Sequence, residues 1–161
     1  MRWGFLVMLA LVVSPSVAGA LVSERTSSDD EDAVRYFAEG LRHQEAKRFA
    51  EAISAYEQSL KHDARQAEAL SNIGFCYKSL GRYHKAITYY KDAIHLDPQL
   101  AEAHEYLGEA YLGLGKLDLA KREYQRLLEL DPEEAEELKE KIDDYAAGAA
   151  QPPHTPTPLR R

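Results

Sequence analysis

Residues Ala67–Leu100 read AEALSNIGFCYKSLGRYHKAITYYKDAIHLDPQL, and residues Ala101–Glu134 read AEAHEYLGEAYLGLGKLDLAKREYQRLLELDPEE. The second stretch repeats the first in register. Leu70, Ile73, Gly74, Tyr77, Gly81, Ala86, Tyr90 and Pro98 return 34 residues later as His104, Leu107, Gly108, Tyr111, Gly115, Ala120, Tyr124 and Pro132. Within the unit, Leu70, Ile73, Gly74 and Tyr77 fall at i, i+3, i+4 and i+7, one stripe of an amphipathic helix. Ala86, Tyr89, Tyr90, Ala93 and Ile94 make a second stripe. Gly81-Arg82 joins the two helices into a hairpin. Gly74 and Ala86 are small where the backbones come closest, and Tyr77 and Tyr90 fill the space beside them. Pro98 disfavours helix at Asp97 and offers no N–H, so the second helix ends there.

One hairpin cannot bury its stripe alone, so such units stack and share a core. This period and pattern resemble the tetratricopeptide repeat family. The resemblance implies an all-α fold, a right-handed α-solenoid of three helical hairpins plus a C-terminal capping helix. Residues 33–66 read as a degenerate first repeat. Gly40, Phe49, Ala52, Tyr56 and Leu60 keep their places, while Glu39, His43, Lys47, Ser59 and Ala64 depart from the pattern. Polar replacements suit the first unit of a solenoid, which has one face without a neighbour. Residues 67–100 and 101–134 are the second and third repeats. The cap is expected over 135–147, where Leu138, Ile142 and Tyr145 form one apolar stripe and glutamates precede lysines along the helix dipole.

The flanks differ in composition. Residues 1–20, MRWGFLVMLALVVSPSVAGA, have one charge at Arg2, an apolar run and small residues at Ala18-Gly19-Ala20. These are the regions of a secretory signal peptide. A retained membrane anchor is the competing reading, but Ser14-Pro15-Ser16 interrupts the roughly 20 apolar residues a span requires. Cleavage after Ala20 changes the net charge from −7 to −8 by removing Arg2. The expected location is the periplasm, the envelope surface or the secreted fraction. Membrane contact is expected only if residues 1–20 are retained. Residues 21–32, LVSERTSSDDED, read as a disordered lead, and residues 148–161, rich in proline, as a disordered tail.

The chemistry points away from catalysis. The acidic balance disfavours nucleic acid. Cys76, the only cysteine, reads as a small packing residue. None of the six histidines has i, i+4 metal-ligand spacing with another. No nucleophile elbow, phosphate loop or nucleotide signature is present, so neither cofactor nor metal is expected.

What remains is a groove. The resemblance implies that the first helix of each repeat lines a concave face. Val34, Phe37, Leu41 and Gln44 would come from the first repeat. Glu68, Ser71, Asn72, Phe75 and Lys78 would come from the second, and Glu102, Glu105, Tyr106, Glu109 and Leu112 from the third. One half is apolar and the other acidic. The expected partner is therefore a protein or peptide segment with basic residues beside an apolar anchor. Some family members clamp an acidic chaperone tail with lysine, arginine and asparagine. Here only Asn72 fits that pattern, and Glu102 opposes it. The expected function is a non-enzymatic adaptor. A self-association module and an accessory subunit of an envelope enzyme complex are the alternatives.

Overall fold

The computed structural model describes residues 16–63 and 66–149, with side chains from residue 28 to 148. Among the described residues there are seven helices and no strands. They are α1 (Ser16–Glu45), α2 (Phe49–His62), α3 (Ala67–Ser79), α4 (Tyr83–Leu96), α5 (Ala101–Gly113), α6 (Leu117–Leu130) and α7 (Pro132–Ala149). Helices α1–α2, α3–α4 and α5–α6 pair as hairpins, successive hairpins stack through α2–α3 and α4–α5, and α7 closes the stack on α5 and α6. This is the expected all-α solenoid.

The turns explain the repeat glycines. Gly81 and Gly115 both sit at φ +71°, in the left-handed region that glycine enters without strain. Lys47 occupies the same place in the first hairpin at φ 57°. The turn geometry thus persists where the sequence has lost its glycine. The ends of the later hairpins are set by aspartate. Asp97 Oδ1 accepts the Gln99 N–H at 2.9 Å, and Asp131 Oδ1 accepts those of Glu133 and Glu134 at 2.9 and 3.2 Å.

The core is shared between units. Ala52, Ile53, Tyr56, Ile73 and Cys76 form one buried cluster that joins α2 to α3. Ala86, Tyr90, Leu107, Ala110, Leu127 and Leu138 belong to a second, which runs from α4 to α7. Tyr77 packs against both, stacked on Tyr89 at 5.4 Å between ring centroids. No hairpin therefore closes its own core.

Several boundaries differ from expectation. Residues 21–32 are helix rather than a disordered lead, since α1 begins at Ser16. No glycine or proline interrupts that stretch. Asp32 pairs with Arg35 one turn on, and Asp29 lies 3.2 Å from the imidazole of His62 on α2. The capping helix is longer than 135–147. Asp131 caps its start, Pro132 takes the first helical position, and the helix runs through residues 148–149. Ser59 is not a surface concession of an end repeat. It is fully buried, with its hydroxyl 2.6 Å from the Ala33 carbonyl and 2.8 Å from Gln66 Oε1. The signal-peptide reading of residues 1–20 and the tail beyond 149 fall largely outside the described residues.

Candidate functional site

Helices α1, α3, α5 and α7 supply the candidate face, and α7 changes its chemistry. Lys141 of α7 extends to Glu105 and Glu109 of α5, and Lys78 of α3 pairs with Glu109 from the other side. The carboxylates of Glu105 and Glu109 are mostly withdrawn from water, with 7% and 19% of their side chains exposed. The Lys78 ammonium also lies over the Tyr106 ring at 4.3 Å and near that of Phe75 at 5.3 Å. Four charges from three helices thus close one end of the face.

The two glutamates respond oppositely. Burial pushes Glu105 above its ordinary value, and the single lysine beside it does not fully offset this. Burial acts on Glu109 too, but Lys141 and Lys78 together outweigh it and hold the group below its ordinary value. Glu134, at the start of α7, is raised by burial and by nearby Glu105, and its Oε2 is buried without a hydrogen-bond partner among the described residues.

Beyond Lys78, which covers part of the Phe75 and Tyr106 rings, the face stays apolar and unneutralised. Phe75 packs between Phe49 at 6.3 Å and Tyr106 at 5.5 Å, leaving a half-buried aromatic strip. Phe37 lies against Tyr56 at 5.5 Å. Val34 is 68% exposed and, with Phe37, Gln66 and Glu68, lines a cleft of about 340 Å³. Leu41 is exposed a little further along α1. Glu68 is exposed and Glu102 partly so, and neither forms an ion pair among the described residues. Burial, and then the neighbouring Glu102 and Glu105 carboxylates, raise the Tyr106 phenol well above its ordinary value.

The expected groove residues therefore divide. Val34, Phe37, Leu41, Glu68, Asn72, Phe75, Glu102 and Tyr106 keep exposed or partly exposed surface. Ser71, Glu105 and Leu112 do not, being 2%, 5% and 8% exposed. Gln44 is half-buried and spends its Oε1 on the Tyr56 hydroxyl at 3.0 Å and the Cys76 thiol at 3.7 Å. Lys78 and Glu109 are committed to the ion cluster. The expectation of a free acidic half is corrected in part: Lys141 already occupies Glu105 and Glu109, and Glu102 alone of the three forms no ion pair among the described residues. That lysine lies outside the three repeats, so the repeat pattern gave no signal for it.

Other candidate chemistry stays structural. Burial pushes the Cys76 thiol up to about 12, where no thiolate forms at neutral pH. His104 is buried in the first turn of α5, with Nδ1 2.8 Å from Glu123 and Nε2 3.4 Å from the Pro98 carbonyl. Among the described residues no group of three or more potential ligands could hold a metal. No helix there is long and apolar enough to cross a membrane.

Residues 67–100 and 101–134 each match a family model described as a tetratricopeptide repeat. The chain is a tetratricopeptide repeat protein. Solved repeat domains share its architecture. The first such domain of human RPAP3 is 26% identical with a TM-score of 0.69, covering 74% of this chain and 95% of that one. The first domain of Spaghetti (RPAP3), bound to the HSP90 peptide SRMEEVD, is 24% identical at a TM-score of 0.68, covering 76% and 96%. The Arabidopsis OM64 domain is 18% identical at 0.68, covering 73% and 98%. No curated protein matches the chain by sequence. The tetratricopeptide repeat is a protein-interaction scaffold, and its neighbours in structure include peptide-bound forms.

Proposed function

We infer that the chain is a non-enzymatic adaptor that holds an extended partner segment on the open end of its concave face. The observation that carries this is the aromatic strip of Phe75 and Tyr106, with unneutralised Glu102 next to Tyr106 and unneutralised Glu68 two turns before Phe75 on α3, in the cleft with Val34 and Phe37. Aromatic side chains held in place by packing make good anchors, because little further conformational entropy is lost on binding. The carboxylates favour a segment with lysine or arginine next to an apolar anchor, and they disfavour an acidic one. The only lysine of this face within the repeats, Lys78, is spent on Glu109. An acidic tail such as the SRMEEVD peptide held by the Spaghetti domain would therefore meet repulsion rather than a clamp.

The test begins with capture of partners by residues 21–161 and identification by mass spectrometry. The recovered partner is then titrated against the parent chain and Phe75→Ala, with circular dichroism to confirm folding. Affinity loss in the variant supports the groove, and equal affinity moves the site elsewhere. We place the adaptor in the export route on the strength of Arg2, the apolar run and Ala18-Gly19-Ala20. Intact mass of the exported protein tests this: a chain starting at Leu21 supports it, and a full-length chain in the membrane fraction favours an anchor. Cleavage there would trim the start of α1 and leave the residues that meet α2, such as Asp29 and Ala33, in place.

A further inference from the structure

Lys141 shows that basic side chains from beyond the repeats fold onto the glutamates of the concave face. The chain continues past α7 as AQPPHTPTPLRR, residues 150–161. This segment has one large apolar side chain, Leu159, followed directly by Arg160 and Arg161. That is the chemistry the open end of the face lacks. We propose that residues 150–161 fold back across the concave face of their own chain, setting Leu159 against Phe75 and Tyr106 and the two arginines toward Glu68 and Glu102. The proposal rests on the reading of this face as a peptide-binding groove and names its resident occupant.

Reach permits it. Helices of one face lie about 8–10 Å apart, so the strip between α3 and α5, one and a half spacings away, is roughly 12–15 Å sideways from α7. Ala149 ends α7 four residues past Tyr145, which reaches the Gly115 turn, so it lies about 6 Å beyond the level of the hairpin turns. Returning to the level of Phe75 and Tyr106, six and nine residues before Gly81 and Gly115, takes about 15–20 Å at 1.5 Å per residue of helix. The straight path is thus roughly 20–25 Å. From Ala149 to Leu159 an extended proline-rich chain spans about 30 Å at 3.1 Å per residue. Pro152, Pro153, Pro156 and Pro158 also reduce the freedom lost on docking. The path crosses Lys78, Glu109 and Lys141, whose charges already satisfy one another, and the residues that pass over them carry no fixed charge. A partner must then displace the segment, and its apparent affinity falls by the fraction of chains that are self-occupied.

Paramagnetic broadening on the full chain tests this. Cys76→Ala removes the native thiol and matches Ala110 at the equivalent place. Thr157→Cys then carries a nitroxide. In the isotope-labelled chain, the amides of Phe75 and Tyr106 are expected to lose intensity, while those of Thr88 and Asp92 on α4 keep theirs. High salt, or Arg160→Glu with Arg161→Glu, should restore the lost signals. Unaffected concave amides overturn the proposal. A second sample mixes nitroxide-bearing chains without isotope and isotope-labelled chains without nitroxide. Broadening there as strong as in the first sample overturns docking within one chain and assigns the segment to a second copy. The captured partner is also titrated against the double glutamate variant, where we expect affinity to rise about threefold or more. Partner binding that needs Phe75, together with silent broadening, rejects the docked segment alone. Broadening at Phe75, with partner binding that ignores Phe75→Ala, rejects the partner reading alone.

Discussion

Lys141 of α7 is held between Glu105 and Glu109 of α5, and Lys78 of α3 completes the cluster at Glu109. The contact fastens the cap and removes two glutamates from the surface available to a partner. Lys141→Met is expected to cost about 1–2 kcal/mol, less than the 3–5 typical of a fully buried pair because the lysine side chain is 40% exposed. Glu105→Gln and Glu109→Gln should differ in direction at neutral pH. Glu109, held below its ordinary value, contributes stability that is present above about 4.5 and lost as pH falls through its folded value. Glu105 and Glu134, raised by burial, act in the opposite sense and give back stability as pH falls from 7 toward that value. Thermal melts should therefore hold level or rise slightly from pH 7 to about 5 and drop below about 4.5. Glu109→Gln is expected to destabilise by roughly 1–2 kcal/mol, and Glu105→Gln to be neutral or mildly stabilising. A larger loss from Glu105→Gln would contradict the assigned balance.

Gly74 and Gly108 occupy the same place in consecutive repeats and meet different neighbours. A Cβ on Gly74 would lie 2.7 Å from the ring of Tyr90 on α4, as the hairpin reading expects. On Gly108 it would lie 2.6 Å from Leu138 of α7, so the nearest contact is the cap rather than the partner helix α6. Gly74→Ala should cost roughly 1–3 kcal/mol, because Tyr90 is fully buried and rigid. Gly108→Ala should cost less globally, since Leu138 ends in a flexible side chain, but should speed amide exchange in α7. Equal exchange in α7 of both variants would refute the distinction.

The equivalent tyrosines Tyr56 and Tyr90 are both fully buried, yet only Tyr56 places its hydroxyl on an acceptor, Gln44. The Tyr90 hydroxyl has no hydrogen-bond partner among the described residues. Tyr56→Phe is expected to destabilise by about 1 kcal/mol, while Tyr90→Phe is neutral or stabilising, since it removes an unsatisfied buried group. Urea melts of the two variants decide this, and a matching loss in both would reveal a partner for Tyr90.

For binding, the divided face predicts divided effects. Phe75→Ala should weaken the captured partner by roughly 1–3 kcal/mol. Glu68→Lys with Glu102→Lys should weaken it further and flatten its salt dependence. Glu105→Gln should leave affinity unchanged, because that side chain is buried beneath Lys141. Calorimetric titration at two salt concentrations measures all three.

The repeat itself was legible from residues alone. Recurring glycine, alanine and tyrosine at a period of 34 residues report local helix packing, which each unit solves in the same way. The hairpin turns, the end at Asp97-Pro98 and the packing of Gly74 on Tyr90 all follow from such near-neighbour contacts. The site was legible only in part. The placing of Phe37, Phe75 and Tyr106 on first helices follows from the repeat, and Phe75 meets Tyr106 at 5.5 Å between ring centroids. Their charge environment does not, because Lys141 has no repeat-equivalent lysine and enters through the docking of α7. The contact of Gly108 with Leu138 has the same origin. Sequence periodicity fixes what each unit does with itself. Which charges remain free depends on elements that do not repeat, and those are placed by tertiary packing.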